Sequence, residues 1–68
     1  MTKQDAIGVM TQGVKVTHDT FSNEEWITMK DDSILTEEGY LMNPIEFWSY
    51  RQNKSFDDGW YLYNSYTN

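Results

Sequence analysis

No cysteine occurs in this chain of 68 residues, and that absence narrows its ways of folding more than any other feature. A domain this small buries only about 60% of the surface its unfolded chain exposes, which leaves little net stability. Short chains offset the deficit with disulfides, a structural metal or self-association. The first route is closed here. One histidine beside no cysteine also offers nothing like a zinc site. The expectation is one domain over residues 1–68, with one small core reinforced by assembly into a homo-oligomer.

The aromatic residues point the same way. Three Trp, five Tyr and three Phe are more than a core of this size can enclose. Aromatic side chains carry large apolar area and are enriched where one surface meets another. Filling a tiny core with a few large side chains accounts for some of them, but not for all eleven.

Charge excludes a further class. The formal net charge is −6. Binding to a nucleic-acid backbone draws its affinity from basic side chains that displace counterions, so direct contact with DNA or RNA is disfavoured. An acidic surface suits a basic protein partner, or simply keeps the molecule in solution. No apolar run is long enough to cross a bilayer, and Met1 to Gly8 lacks the apolar core of a signal peptide. No membrane association and a cytoplasmic location are therefore expected, and the lack of cysteine fits that compartment.

Along the chain, periodicity and turn chemistry predict an α+β fold. A helix is expected from Lys3 to Gln12, capped by Thr2 with Asp5 three positions on. Ala6, Ile7 and Met10 share one face, extended by Val14, and Gly13 supplies the stop. Gly8 weakens the helix and is small enough for another backbone to approach closely. Val14 and Val16 then alternate with Lys15 and Thr17 as a strand, and His18-Asp19-Thr20 reads as a turn. Strands are expected at Glu25–Lys30, Ile34–Thr36 and Tyr40–Met42, separated by Asp31-Asp32-Ser33 and Glu37-Glu38-Gly39. These form a small antiparallel β-meander.

Asn43-Pro44-Ile45-Glu46 is the clearest local signal, combining an N-cap, a proline at the first helical position and a glutamate able to close a capping box. A second short helix should run from Pro44 to about Arg51. Phe47 and Tyr50 fall on one side of it, Ile45 and Trp48 on the other. Apolar residues on two sides suggest that it packs on its own sheet and is covered elsewhere as well. After the polar stretch Gln52–Gly59, Trp60-Tyr61-Leu62-Tyr63 reads as the last strand.

Candidate chemistry is sparse. His18 could act as a base, but no nucleophile or orienting partner is visible, and it reads as an ordinary turn or surface residue. The pairs Asp31-Asp32, Glu37-Glu38 and Asp57-Asp58 lack calcium-loop spacing and fall where solvated turns are expected. Arg51 either interacts with the end of its own helix or offers a fork to phosphate oxygens. Trp26, Trp48, Tyr50 and Trp60 either pack internally, the leading reading for Trp26 and Trp60, or stack on a ligand's base or fill a partner's pocket. The candidate ligand-binding residues are therefore Trp26, Trp48, Tyr50 and Arg51. No catalytic residue, metal ligand or cofactor is indicated.

The order of features resembles a known family. A helix is followed by Gly13-Val14-Lys15-Val16, a turn, and a strand containing Glu25-Trp26-Ile27; the chain closes on Gly59-Trp60-Tyr61-Leu62-Tyr63. This is similar to the small phage proteins that counter the Thoeris defence system. In those proteins a helix precedes a Gly-Lys-x-Val-type strand and the chain ends in an Asp-Trp-Glu-Val-like strand. Gly13, Val14, Val16, Trp26, Ile27 and Trp60 correspond, and they are mainly structural positions. The chain is shorter than typical members, and its segment Glu46-Phe47-Trp48-Ser49-Tyr50-Arg51 has no counterpart there. The resemblance implies a compact α+β protomer that self-assembles and holds a cyclic-ADP-ribose-type signalling nucleotide between protomers without cleaving it.

Four function classes follow. The first is an anti-defence binding protein that sequesters such a nucleotide, in the host cytoplasm if phage-encoded. The second is an acidic inhibitor whose surface imitates nucleic acid or docks on a basic host protein. A structural or assembly accessory comes third. An enzyme comes last, because no catalytic constellation can be named.

Overall fold

The computed structural model describes residues 1–63. Helix α1 (Lys3–Met10) leads into strands β1 (Val16–His18), β2 (Ile27–Lys30), β3 (Ser33–Thr36) and β4 (Leu41–Met42). Helix α2 (Pro44–Ser49), a 3-10 turn (Lys54–Phe56) and strand β5 (Trp60–Leu62) follow. The strands make one antiparallel sheet in the order β4-β3-β2-β1-β5. This is the expected α+β fold, with an N-terminal helix, a meander and a short helix before the last strand. β5 does not extend the meander at β4. It crosses behind and closes on the free edge of β1, pairing Val16 with Leu62 and His18 with Trp60.

α1 begins at the expected capping box. Thr2 Oγ1 accepts from the Asp5 backbone N–H at 3.1 Å, and the Asp5 carboxylate accepts from the Thr2 N–H at 3.3 Å. The helix stops at Met10, before the expected Gln12. Gly13 N–H bonds the Met10 carbonyl and Val14 N–H the Val9 carbonyl, a Schellman arrangement that needs the positive φ of 82° at Gly13. That reversal carries Val14 off the helix face it was expected to extend, leaving it 37% exposed. Nothing approaches Gly8: a Cβ there would meet no atom within 4 Å.

Ala6 and Met10 from α1 and Phe47 from α2 join Val16, Ile27, Ile34 and Trp60 in one buried cluster. Both helices therefore cover the same face of the sheet. Side chains alternate along a strand, so Thr17, Thr28, Leu35, Leu41 and Tyr61 lie on the opposite face. Leu41 and Tyr61 are exposed there, while Thr28 is buried and donates its hydroxyl to the Val14 carbonyl at 2.8 Å.

Two turns fix the register. Asp31 and Asp32 both take positive φ, 51° and 63°, between the paired residues Lys30 and Ser33, which is the backbone of a two-residue hairpin. Gly39, at φ 88°, closes the three-residue connection between Thr36 and Tyr40.

At α2 the Asn43 side chain accepts from the N–H groups of both Ile45 and Glu46, so Asn43 alone makes the cap that Glu46 was expected to share. The helix ends at Ser49 because the Arg51 N–H bonds the Trp48 carbonyl, tightening the last turn. Phe47 is buried. Tyr50, expected on the same side, is 74% exposed at the C-cap, and Ile45 is 82% exposed.

His18 corrects a further expectation. It is not a surface turn residue but the buried last residue of β1, held by groups distant in sequence. Its Nδ1 accepts the Thr20 backbone N–H at 3.1 Å, so the ring hydrogen lies on Nε2 in the neutral form. Nε2 donates to the carbonyls of Ser55 and Asp58, each at 2.8 Å. Among the described residues, no helix is long and apolar enough to cross a membrane.

Candidate functional site

One cleft of about 450 Å³ opens between α2 and the β3–β4 hairpin. Phe21, Trp26, Ile27, Met42 and Phe47 give it apolar walls. Its polar lining is Glu25, Thr36, Glu37, Glu38, Tyr40 and Arg51. Three carboxylates thus share a wall with a single guanidinium.

Arg51 reaches the cleft because of how α2 ends. In a continued helix the Phe47 carbonyl would accept the Arg51 backbone N–H; here it accepts Arg51 Nη1 at 3.1 Å. The guanidinium also stacks on the Phe47 ring, 3.9 Å from its centroid. Desolvation lowers the Arg51 pKa from its ordinary value, and the charge of Glu25 acts in the opposite direction. A guanidinium carries five N–H donors, and only the bond to Phe47 engages one among the described residues.

Trp26 sits immediately before β2, half-buried. Lys15 Nζ lies 4.3 Å from its ring centroid and the Tyr63 ring 6.3 Å away. Glu25, its neighbour, accepts the Ser22 N–H at 3.0 Å, which fixes the entry into the strand.

Of the four sequence-predicted residues, Trp26 and Arg51 therefore line the same cleft. Trp48 lies elsewhere, in a shallower groove between α1 and α2 with Ile7, Pro44 and Ile45, its ring 4.7 Å from Lys3 Nζ. Its edge-on contacts with Phe47 and Trp60 tie it to the core. Tyr50 lines neither depression.

Glu25 and Tyr40 carry no site signal in the sequence, and Glu37-Glu38, expected as a solvated turn, joins them in the cleft lining. Part of the signal lies in the two-residue hairpin turn: pairing Lys30 with Ser33 sets Ile27 opposite Thr36, which brings the start of β2 to the β3–β4 turn. No group of three or more potential ligands suited to a metal ion occurs among the described residues. Comparison with protein-family models, with curated proteins and with solved structures gives no match.

Proposed function

We propose that this chain is a binding protein, not an enzyme, that sequesters a small signalling nucleotide of the cyclic-ADP-ribose type without cleaving it, as a phage-type anti-defence protein does. The observation that carries this reading is the presence of Trp26 and Arg51 in one amphipathic cleft. A nucleoside phosphate has three chemically distinct parts, and the lining has a counterpart for each. Trp26 offers a ring face for the base. Arg51 offers planar donors to phosphate oxygens, for which a guanidinium is better shaped than an ammonium. The carboxylates can accept from ribose hydroxyls, as acidic residues do in dinucleotide sites.

Self-association belongs to the same reading. The helix-free sheet face exposes Leu41 and Tyr61, and α2 exposes Ile45 and Tyr50. Tyr40 and Leu41, at the β4 edge, also border the cleft, so a second copy seated at that edge would adjoin it. Titration calorimetry of the full chain with cyclic ADP-ribose, followed by recovery of the ligand, tests the proposal. Saturable uptake and intact release support it, whereas no uptake of cyclic ADP-ribose or its cyclic isomers rejects it.

A second reading is favoured by the three-to-one excess of carboxylates over guanidinium in the cleft. It is an acidic inhibitor that captures a basic segment of a host protein. That reading predicts binding that weakens steeply with salt, and an empty low-salt pull-down from host lysate counts against it.

A further inference from the structure

We infer that Glu25, Glu37 and Glu38 set a charge ceiling on the ligand of the α2 cleft, admitting nucleosides of low negative charge and turning away nucleoside triphosphates. The inference rests on the nucleotide-binding reading above and concerns its selectivity. The wall of the cleft carries three carboxylates against one cation, a formal balance of −2 before any ligand enters (Glu25, Glu37 and Glu38 against Arg51). The one cation is itself committed in part. Arg51 donates to the Phe47 carbonyl, stacks on the Phe47 ring and lies within the field of Glu25. A single phosphate can replace the influence of Glu25 on the guanidinium. A triphosphate brings charges that no second basic side chain in the lining can meet; Lys15, 4.3 Å from the Trp26 ring centroid, does not line the cleft.

The position of the acids sharpens the selection. Glu37 and Glu38 occupy the turn between β3 and β4 and line the same cleft as Trp26 and Glu25. A base stacked on Trp26 therefore puts its sugar and phosphates within reach of these carboxylates. Ribose hydroxyls meet them as hydrogen-bond donors, while extra phosphate groups meet them as like charges. Discrimination of this kind uses repulsion against the wrong ligand as well as attraction to the right one. Its use to a sequestering protein is direct: the site stays open to a scarce signal in the presence of abundant triphosphate.

The test is calorimetric titration of the full chain with adenosine, AMP and ATP, beside the double variant Glu37→Gln/Glu38→Gln. Glu38 is exposed and Glu37 half-buried, both in a turn, so the exchange spares the core. The wild-type chain is expected to bind adenosine and AMP and to bind ATP at least tenfold more weakly than AMP. Removing two charges should raise ATP affinity by roughly tenfold or more, since close charges interact strongly where water is partly excluded. Adenosine, which carries no charge and loses carboxylate acceptors for its ribose hydroxyls, should bind the variant no more tightly than the wild type, so that the gain is confined to the charged ligand. Raising salt should strengthen ATP binding to the wild type by screening the repulsion. ATP bound as tightly as AMP by the wild type, or an ATP-to-AMP ratio unmoved in the variant, overturns the charge ceiling and leaves nucleotide binding standing. Failure of adenosine, AMP and cyclic ADP-ribose alike to bind overturns the nucleotide reading and this inference with it.

Discussion

His18 and Trp60 face one another across the β1–β5 pair, and their rings meet edge-on with centroids 4.7 Å apart. The contact joins the first strand of the meander to the last strand of the chain. Phe56 and Phe21 flank the imidazole at 4.8 and 5.9 Å, while the Trp60 indole N–H donates to the Phe56 carbonyl at 2.8 Å. His18 thus acts as a polar pin inside an aromatic cluster. Replacing it with alanine removes the ring contacts and strips the Ser55 and Asp58 carbonyls of their donor. The expected loss is about 2–4 kcal/mol, read from urea unfolding. A loss below about 1 kcal/mol would mean that the pin is dispensable.

Gly59 stands against that pin. Its φ is 84°, and a Cβ there would lie 3.1 Å from His18 Nε2 and 2.9 Å from Asp19 Oδ2. The exposed Asp19 carboxylate can swing away, but the imidazole is held at both nitrogens. Gly59→Ala should therefore cost about 1–3 kcal/mol through backbone strain and the clash with His18. Adding Asp19→Ala should not restore the unfolding midpoint. Full rescue would assign the whole effect to the carboxylate instead.

What sequence could reveal divides along the distance over which each feature is determined. The caps at Thr2 and Asn43 are set by side chains two or three residues from the groups they satisfy, and both are visible as local patterns. The Asp31-Asp32 and Glu37-Glu38-Gly39 turns are local in the same sense. The burial of His18 is not legible locally because its partners, Ser55 and Asp58, come from the far end of the chain. The docking of β5 on β1 was equally hidden, since either edge of the meander offers free backbone groups to a last strand. In the cleft, the residue types of Trp26 and Arg51 drew notice, but their meeting depends on how α2 packs against β3.

The β2–β3 hairpin turn places two adjacent aspartates at positive φ, at 51° and 63°. Aspartate tolerates this region, but Asn-Gly suits a two-residue hairpin better, and two neighbouring carboxylates repel each other. Asp31→Asn/Asp32→Gly should therefore stabilise the fold by about 0.5–1 kcal/mol, seen as a higher urea midpoint with an unchanged slope. Destabilisation would show that the aspartates make a contact beyond the turn. The change leaves the cleft untouched, so uptake of cyclic ADP-ribose should be unaltered.

The three candidate aromatic and basic side chains with defined surroundings can be separated by one set of variants. Trp26 and Arg51 line the cleft, while Trp48 lies in the α1–α2 groove and packs edge-on to Phe47 and Trp60. A base stacked on an aromatic ring is worth about 1–3 kcal/mol, so Trp26→Ala should weaken cyclic ADP-ribose binding roughly 5- to 150-fold. Arg51→Ala should weaken it as well, and Arg51→Lys should restore little, because an ammonium lacks the planar fork. Trp48→Ala should do the reverse: lower stability by about 2–4 kcal/mol through lost aromatic packing, yet leave the dissociation constant within about twofold in the folded fraction. Calorimetry on each variant, at a temperature where urea unfolding shows it folded, reads both effects. If Trp48→Ala abolishes uptake while Trp26→Ala spares it, the ligand belongs to the groove between the helices, and the cleft at Arg51 has another occupant.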